Sequence, residues 1–293
     1  MKLAFASCTK IQDVAEQTVW ADIRNERPDV LLLLGDNIYL DHNNNDDPQQ
    51  LAEDLRRGYR QQFAEPNFAA LIDDVRARGG RVLATYDDHD FLGNNRHGGD
   101  HSPALRDAAR DAFVVAFNPT MTGTDIYGLH RVGSVDIAVL DQRYYRRSTR
   151  TTRYDRDAIL GAEQWRWFER AVAQSTARYF VVASSTTLHT YADESWERYP
   201  TAFRRMVDLL AGRQGALVLS GDVHRNAAYD DSGVIELTSS AVARKGVVFG
   251  GKRRNYAVLT FDDASVRVQM HSLKAGWRFD FRISRAAKDW QLP

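Results

Sequence analysis

The sequence has a single cysteine, Cys8, and no long apolar run. One cysteine excludes an internal disulfide bond, which is compatible with a reducing compartment. No stretch approaches the roughly 18 apolar residues of a membrane span, and the apolar start of the chain is too short for a secretory signal. No Gly-x-Gly-x-x-Gly follows a predicted strand, which disfavours a dinucleotide-binding protein. We therefore expect a cytoplasmic protein with no membrane partner.

The chain also lacks net charge, because its 39 basic residues balance its 39 acidic residues. There is no global positive field of the kind that gathers nucleic acid, so any attraction for a charged substrate has to be local. The 293 residues are 43% hydrophobic, which is enough for a sizeable core. We find no repeat, linker or low-complexity tract, and we expect one domain over residues 1–293.

Apolar runs alternate with amphipathic segments along most of the chain, as in a sheet flanked by helices. Strands are predicted at residues 2–7, 30–34, 81–85, 127–132, 135–140, 179–183 and 217–220, and five more at 227–229, 234–237, 256–261, 266–270 and 278–283. Helices are predicted at residues 13–25, 49–63, 68–78, 103–117, 161–174 and 201–211. The pattern predicts an α/β fold.

Polar or titratable residues follow nearly every early strand, where an open α/β sheet binds its ligands. The strand ends read Ser7-Cys8, Gly35-Asp36-Asn37-Ile38-Tyr39, Asp87-Asp88-His89-Asp90, Asp141-Gln142-Arg143, Ser184-Ser185 and Gly221-Asp222-Val223-His224. Three carboxylates around one imidazole repel one another, and cations among them would stabilise the group. Singly, each of these residues has an ordinary structural explanation, such as a turn, a cap or a buried side chain. Together they predict a metal site.

The order of these motifs resembles the calcineurin-like metallophosphoesterase superfamily, and more closely its alkaline phosphatase D (PhoD-like) branch, from Ala6 to His224. The cysteine of the first motif, the tyrosine three residues after Asp36 and the Asp-Asp-His of the third motif are the features similar to that branch. The resemblance implies a metal-dependent phosphoester hydrolase. It also implies two packed mixed β-sheets flanked by helices, a four-layer αββα sandwich.

The resemblance further implies a dinuclear or trinuclear site with Fe³⁺ and one or more divalent cations, with Ca²⁺ as the first candidate and Mn²⁺, Zn²⁺ and Mg²⁺ as alternatives. Thiolate and phenolate favour trivalent iron, whereas carboxylate and amide oxygens suit calcium. We assign Cys8 and Tyr39 to iron and a bridging position to Asp36. The other predicted ligands are Asp88, Asn94, Asp222 and His224. Which metal Asp222 and Asn94 contact stays open.

The expected mechanism is in-line attack on phosphorus by a hydroxide that two cations generate. His89 matches the superfamily histidine that protonates the leaving group or hydrogen-bonds the phosphate. Arg143 is a candidate phosphate clamp, and a salt bridge to Asp141 is the equally weighted alternative. The expected substrate is a small phosphate ester, either a monoester or a diester. A catalytically silent metal-binding or nucleotide-binding module on the same fold remains the alternative.

Two features carry weaker hypotheses. The basic segment over residues 143–156 contains Arg143, Arg146, Arg147, Arg150, Arg153 and Arg156 among tyrosines, which could bind nucleic acid. A solvated loop is favoured instead, because the chain as a whole is neutral. His189, close after another strand end, is a further candidate for a metal ligand or a substrate contact.

Overall fold

The computed structural model describes residues 1–40, 46–117, 126–189, 194–230, 233–244, 254–272 and 277–284. Its strands are β1 (Lys2–Ala6), β2 (Val30–Leu34), β3 (Arg81–Thr85), β4 (Gly128–Val132), β5 (Val135–Val139), β6 (Tyr179–Ala183), β7 (Ala216–Ser220), β8 (Asn226–Tyr229), β9 (Ile235–Ser239), β10 (Asn255–Phe261), β11 (Ser265–Ser272) and β12 (Trp277–Ser284). Its helices are α1 (Val19–Asn25), α2 (Pro48–Phe63), α3 (Pro66–Ala77), α4 (Pro103–Phe117), α5 (Thr149–Thr152), α6 (Gly161–Gln174) and α7 (Pro200–Ala211).

The strands form two six-stranded mixed sheets, which confirms the predicted fold. The first sheet has the order β12-β11-β10-β1-β2-β3, with β1, β2 and β3 parallel. The second has the order β4-β5-β6-β7-β9-β8, with β5, β6, β7 and β9 parallel. The carboxyl ends of three parallel strands in one sheet and four in the other therefore carry the loops in which a site was expected.

Successive side chains of a strand point to opposite faces of its sheet, so each sheet packs against the other sheet on one face and against helices on the other. In β1, Leu3 and Phe5 belong to the apolar cluster between the two sheets, whereas Ala4 and Ala6 face the helices α1 to α4. In β7, Val218 faces the apolar cluster that packs under α6 and α7. The result is a helix, sheet, sheet, helix sandwich, and the two sheets bury their facing surfaces against each other.

Helix starts follow the local sequence closely where the caps are strong. Asp47 caps α2 by accepting a hydrogen bond from the amide of Gln49 at 2.9 Å, with a proline in the first turn. Glu65 caps α3 in the same way through the amide of Phe68 at 2.7 Å. These caps fix the starts of two of the helices that cover the first sheet.

The first helix is shorter than predicted. The sequence predicts a helix over residues 13–25, but α1 begins at Val19. The amide of Gln17 bonds Glu65 at 3.2 Å, and its side-chain amide bonds Gln62, so a contact with a distant helix replaces the first turns. No helix in the described part of the chain is long and apolar enough to cross a membrane.

Candidate metal centre

Glycines fix the two tight turns that carry the predicted aspartates. Gly35 has φ of +88°, and a Cβ there would lie 2.5 Å from Cβ of Asp87. A Cβ on Gly221 would lie 2.6 Å from the hydroxyl oxygen of Ser7. A larger residue at either position would push the strand ends apart, so glycine precedes Asp36 and Asp222 because the backbones approach closely.

The candidate ligands themselves have unusual backbone conformations. Cys8, Asp36, Asp222 and His224 have φ of 63°, 50°, 69° and 55°, in the left-handed region. Such conformations cost of order 1–3 kcal/mol each and cluster at functional sites. Four of them at the ends of β1, β2 and β7 turn these side chains toward one another instead of along the strands.

Among the residues that the structure describes, two groups of side chains could each hold a metal ion, and they share one carboxylate. Cys8, Asp36 and His224 form the first group, and Asp36, Asp88 and His89 form the second. Within each group the potential ligand atoms all lie within 4.8 Å of one another. Asp36 thus belongs to both groups, and its predicted role as a bridging ligand stays a prediction.

Tyr39 lies against the first group. Its hydroxyl donates a hydrogen bond to Oδ2 of Asp36 at 2.5 Å and lies 3.3 Å from Nε2 of His224. The sulfur of Cys8 lies 3.4 Å from the same carboxylate oxygen and 3.0 Å from the hydroxyl of Ser240. The structure therefore brings together four of the predicted ligands, Cys8, Asp36, Tyr39 and His224.

Burial and mutual repulsion raise the pKa of the anionic ligands. Burial raises the pKa of Asp36 well above its usual value, and the charges of Asp88, Asp87 and Asp90 add to it. Burial followed by the charges of Asp87 and Asp88 does the same to Asp222. The pKa of Cys8 and that of Tyr39 are raised by burial and then by Asp36. These groups cannot all be charged together unless cations lie among them.

The donor set fits a mixed metal centre. One sulfur, one phenol oxygen, one imidazole and the shared carboxylate suit iron, and a carboxylate-rich second group suits a hard divalent cation. Nδ1 of His89 is buried and has no hydrogen-bond partner among the residues described. A ring nitrogen in that state is available to a metal ion or a substrate oxygen.

Of the four residues at the end of β3, Asp88 and His89 belong to the candidate groups, and Asp87 and Asp90 support them. Asp88 accepts hydrogen bonds from the amides of His89 at 2.8 Å and Asn95 at 2.6 Å. Burial alone would raise the pKa of Asp88, but Arg143, His89 and the Asn95 amide together lower it. Asp90 accepts hydrogen bonds from the amides of Asn37 and Asp87. Burial first of all raises the pKa of Asp87 and of Asp90 to about 7.

Arg143 is fully buried between two carboxylates. Its Nε bonds Oδ1 of Asp87 at 2.6 Å, and its Nη1 lies 2.6 Å from Oε2 of Glu194. The carboxylate of Asp141 accepts hydrogen bonds from the backbone amides of Arg143 and Tyr144, each at 3.0 Å, and does not pair with the guanidinium of Arg143. The alternative of a salt bridge to Asp141 is therefore wrong, because that carboxylate closes a turn. Binding of phosphate by Arg143 stays a prediction.

Two other predicted ligands, Asp222 and Asn94, lie near the two groups. Neither residue is a member of a group formed by the residues that the structure describes. Asp222 is partly buried, and its backbone carbonyl lies 3.8 Å from the sulfur of Cys8. Asn94 is exposed, and the amide of the next residue, Asn95, bonds Asp88. His189 bonds Glu236 at 2.7 Å through Nδ1 and also lies outside both groups.

The basic segment over residues 143–156 is divided between the interior and the surface. Arg146 is buried, donates a hydrogen bond to the carbonyl of Glu194 and lies over the ring of Tyr199. Arg147 pairs with Asp155 at 2.5 Å. The exposed arginines of the segment are Arg150, Arg153 and Arg156. The inner arginines therefore brace the loops beside the centre.

Four residues near the centre were not predicted: Lys10, Glu194, Ser240 and Arg244. Lys10 follows Cys8 by two residues, so proximity in sequence could have suggested it. Glu194 and Ser240 reach the site through long-range contacts with Arg143 and Cys8. Arg244 lies over the ring of Tyr39. No local motif marks these last three.

Comparisons with known proteins agree with this architecture. The sequence pattern of the PhoD-like phosphatase family matches residues 3–275. A solved structure of PhoD is 20% identical with a TM-score of 0.74, covering 97% of this chain and 70% of that one. A dimetal phosphatase from Danio rerio is 14% identical with a TM-score of 0.57, over 98% of this chain and 99% of its own.

A third similar structure is GAP50, the anchor in the inner membrane complex of Plasmodium, at 12% identity and a TM-score of 0.59 over 96% of this chain and 88% of that chain. No curated protein sequence matches this chain. At these identities the structural likenesses show a shared fold, and the family match over nearly the whole sequence shows the family. This chain belongs to the PhoD-like phosphatase family.

Proposed function

We propose that this protein is a metal-dependent hydrolase of small phosphate esters. The observation that carries the proposal is Asp36, which is shared by two groups of potential ligands whose atoms lie within 4.8 Å of one another. Metal ions bound there would neutralise the phosphoryl oxygens and supply a hydroxide for in-line attack on phosphorus. No protein nucleophile is needed for this chemistry.

The donor atoms suggest how two metals divide the site. Cys8, Tyr39 and His224 would hold Fe³⁺ together with Asp36, because a thiolate and a phenolate are strong anionic donors. Asp36 and Asp88 would hold Ca²⁺, Mn²⁺, Zn²⁺ or Mg²⁺, with Ca²⁺ favoured by the oxygen-rich surroundings. Asn94 and Asp222 remain proposed ligands of either metal or of a third one.

His89 is the proposed acid that protonates the leaving oxygen. Its ring lies beside Tyr39, with centroids 4.2 Å apart, and its buried Nδ1 faces no hydrogen-bond partner in the described residues. Burial lowers the pKa of His89, followed by opposing effects of Asp88 and of Arg244, Lys10 and Arg143. The Asp88 carboxylate beside the ring favours the protonated imidazolium that an acid requires.

A silent binding module is the second candidate. The fold alone does not exclude it, because the similar GAP50 structure is described as an anchor. The distinguishing feature here is the set of ligand side chains at the strand ends, which a purely structural protein does not need.

Hydrolysis of two chromogenic esters tests the proposal. The protein, reconstituted with iron and calcium, should release p-nitrophenol from p-nitrophenyl phosphate, from bis-p-nitrophenyl phosphate or from both. Asp36→Asn should abolish this activity, whereas Asp263→Asn, at a side chain that is 93% exposed, should leave it unchanged. Metal-loaded protein that is inert on both esters would favour the binding module.

A further inference from the structure

Two cationic side chains lie over the ring of Tyr39 at the edge of the candidate centre. The guanidinium carbon of Arg244 is 4.3 Å from the ring centroid, and Nζ of Lys10 is 5.4 Å from it. The hydroxyl at the far end of the same ring contacts Asp36 and His224. Both cations therefore lie about one aromatic ring away from the ligand atoms.

The backbone that positions Cys8 also positions these two cations. Thr9 and Ala243 form an isolated parallel bridge between the ends of the two sheets. The amide of Lys10 bonds the carbonyl of Ala243 at 2.9 Å, and the amide of Ala243 bonds the carbonyl of Cys8 at 3.3 Å. Since Arg244 directly follows the bridged residue, its distance from the centre is fixed by the fold.

Arg244 has less local pairing than a largely buried arginine normally has. Its side chain is only 19% exposed, and among the described residues it pairs with Oδ2 of Asp13, which lies 3.8 Å from Nε. The same Nε is buried and has no hydrogen-bond partner within the part of the chain described. Leaving a buried N–H donor of a guanidinium without a partner is costly, so this donor is available to a ligand. Arg143, by contrast, is held by two carboxylates at 2.6 Å.

The two cations act on the space that contains the predicted acid. The ring of His89 lies against the ring of Tyr39, with centroids 4.2 Å apart, so the two cations over Tyr39 lie at the same edge of the candidate centre as the predicted acid. Both cations therefore border the space at this centre in which a substrate would lie.

We propose that Arg244, with Lys10 beside it, binds a non-bridging oxygen of the substrate and makes the enzyme selective for phosphomonoesters over phosphodiesters. This inference rests on the proposed hydrolase function. A monoester has three non-bridging oxygens and a charge near minus two, so one oxygen remains for the guanidinium when two face the centre. In a diester that third oxygen is esterified and uncharged, and it gives Arg244 no anionic partner.

Kinetics of Arg244→Gln on the two esters test the inference. We expect kcat/KM for p-nitrophenyl phosphate to fall by about 10- to 100-fold, as for a lost hydrogen bond to a charged group. The kcat/KM of Arg244→Gln for bis-p-nitrophenyl phosphate should stay within about threefold of the wild-type value, because the diester loses little charge-assisted hydrogen bonding. Arg244→Lys should recover part of the monoester activity, and Lys10→Gln should shift the ratio in the same direction by a smaller factor.

Two further measurements separate substrate binding from support of the fold. Calorimetric binding of inorganic phosphate to the metal-loaded protein should weaken in Arg244→Gln by a factor similar to that in monoester kcat/KM. Metal content should match that of the wild type. Arg78→Gln is the control, because Arg78 is similarly exposed and pairs with Asp74 at 2.9 Å on α3. It should change neither the hydrolysis of the two esters nor the binding of phosphate.

Each other outcome has a distinct meaning. An unchanged ratio of monoester to diester activity, or unchanged phosphate binding, would overturn the inference and leave the hydrolase proposal intact. Loss of metal from Arg244→Gln would make Arg244 a structural support of Tyr39 and would also overturn it. A wild-type protein that is inert on both esters would instead contradict the proposed function itself.

Discussion

The hydroxyl of Tyr39 donates a 2.5 Å hydrogen bond to Oδ2 of Asp36, the carboxylate that both candidate metal groups share. The two residues are three apart in the loop after β2, so the same turn supplies a bridging carboxylate and a phenol. Burial and then the Asp36 charge raise the pKa of Tyr39, so the metal-free protein keeps the phenol proton. A metal ion at this position would replace that proton.

The first prediction concerns Tyr39→Phe. A phenolate bound to Fe³⁺ absorbs visible light, so the iron-loaded wild type should be coloured and Tyr39→Phe should lose that band. Cys8→Ser should lower iron content before it affects the second metal. Tyr154→Phe, at a residue that is 72% exposed, is the matched control and should keep both the colour and the iron. An unchanged spectrum in Tyr39→Phe would remove Tyr39 from the ligand set, and unchanged iron in Cys8→Ser would make Cys8 a packing residue.

The second prediction concerns His89→Ala. If His89 acts as an acid, the variant should retain metal and lose turnover by about 10²- to 10⁴-fold, the usual contribution of a general acid. The structure makes this a real test, because the imidazole also lies within ligand distance of Asp36 and Asp88. Metal content and kcat should be measured on one preparation. Loss of metal along with activity would show that His89 is a ligand.

Much of the site could be predicted because its residues follow apolar strands directly. The run Val30–Leu34 is followed at once by Gly35 and Asp36, and the carboxyl ends of neighbouring parallel strands converge. The order of the motifs then indicated the family. The alternation of Leu3 and Phe5 with Ala4 and Ala6 likewise fitted a strand covered on both faces.

Contacts between distant parts of the chain were not predictable from local pattern. Glu194 pairs with Arg143 from another loop, and Arg244 reaches Tyr39 only because Thr9 bridges Ala243. The late start of α1 has the same cause, since its first predicted turn is replaced by the bond between Gln17 and Glu65. In each case the sequence shows the residue type, and the partner is set by tertiary packing.

The third prediction concerns the buried pair of Arg143 with Asp87 and Glu194. Removing one partner of a buried ion pair leaves an uncompensated charge and costs roughly 3–5 kcal/mol. Arg143→Gln should therefore lower the free energy of unfolding in urea by about that amount. Arg78→Gln, which breaks a partly exposed pair with Asp74, should cost much less. Equal losses in the two variants would contradict the buried pairing.

The fourth prediction is that metal loading releases protons. Burial raises the pKa of Asp36, Asp222, Cys8 and Tyr39 in the metal-free protein, and the thiol and the phenol, whose ordinary pKa already lies above neutral, therefore carry their protons at neutral pH. Ligands must lose these protons to bind metal, and metal affinity should therefore fall as the pH is lowered. Addition of metal to chelator-treated protein in weak buffer, followed with a pH indicator dye, should acidify the solution. A preparation that binds metal with no proton release would contradict the raised pKa values.

The most direct test of the account is the metal content of protein purified without chelator, compared between the wild type and Asp36→Asn. The wild type should carry at least two metal ions per chain with iron among them, and Asp36→Asn should lose both because Asp36 is common to the two groups. Asp263→Asn should retain the wild-type content. Full metal occupancy in Asp36→Asn, or a wild type that binds no metal even after reconstitution, would contradict a shared carboxylate at the centre of this site.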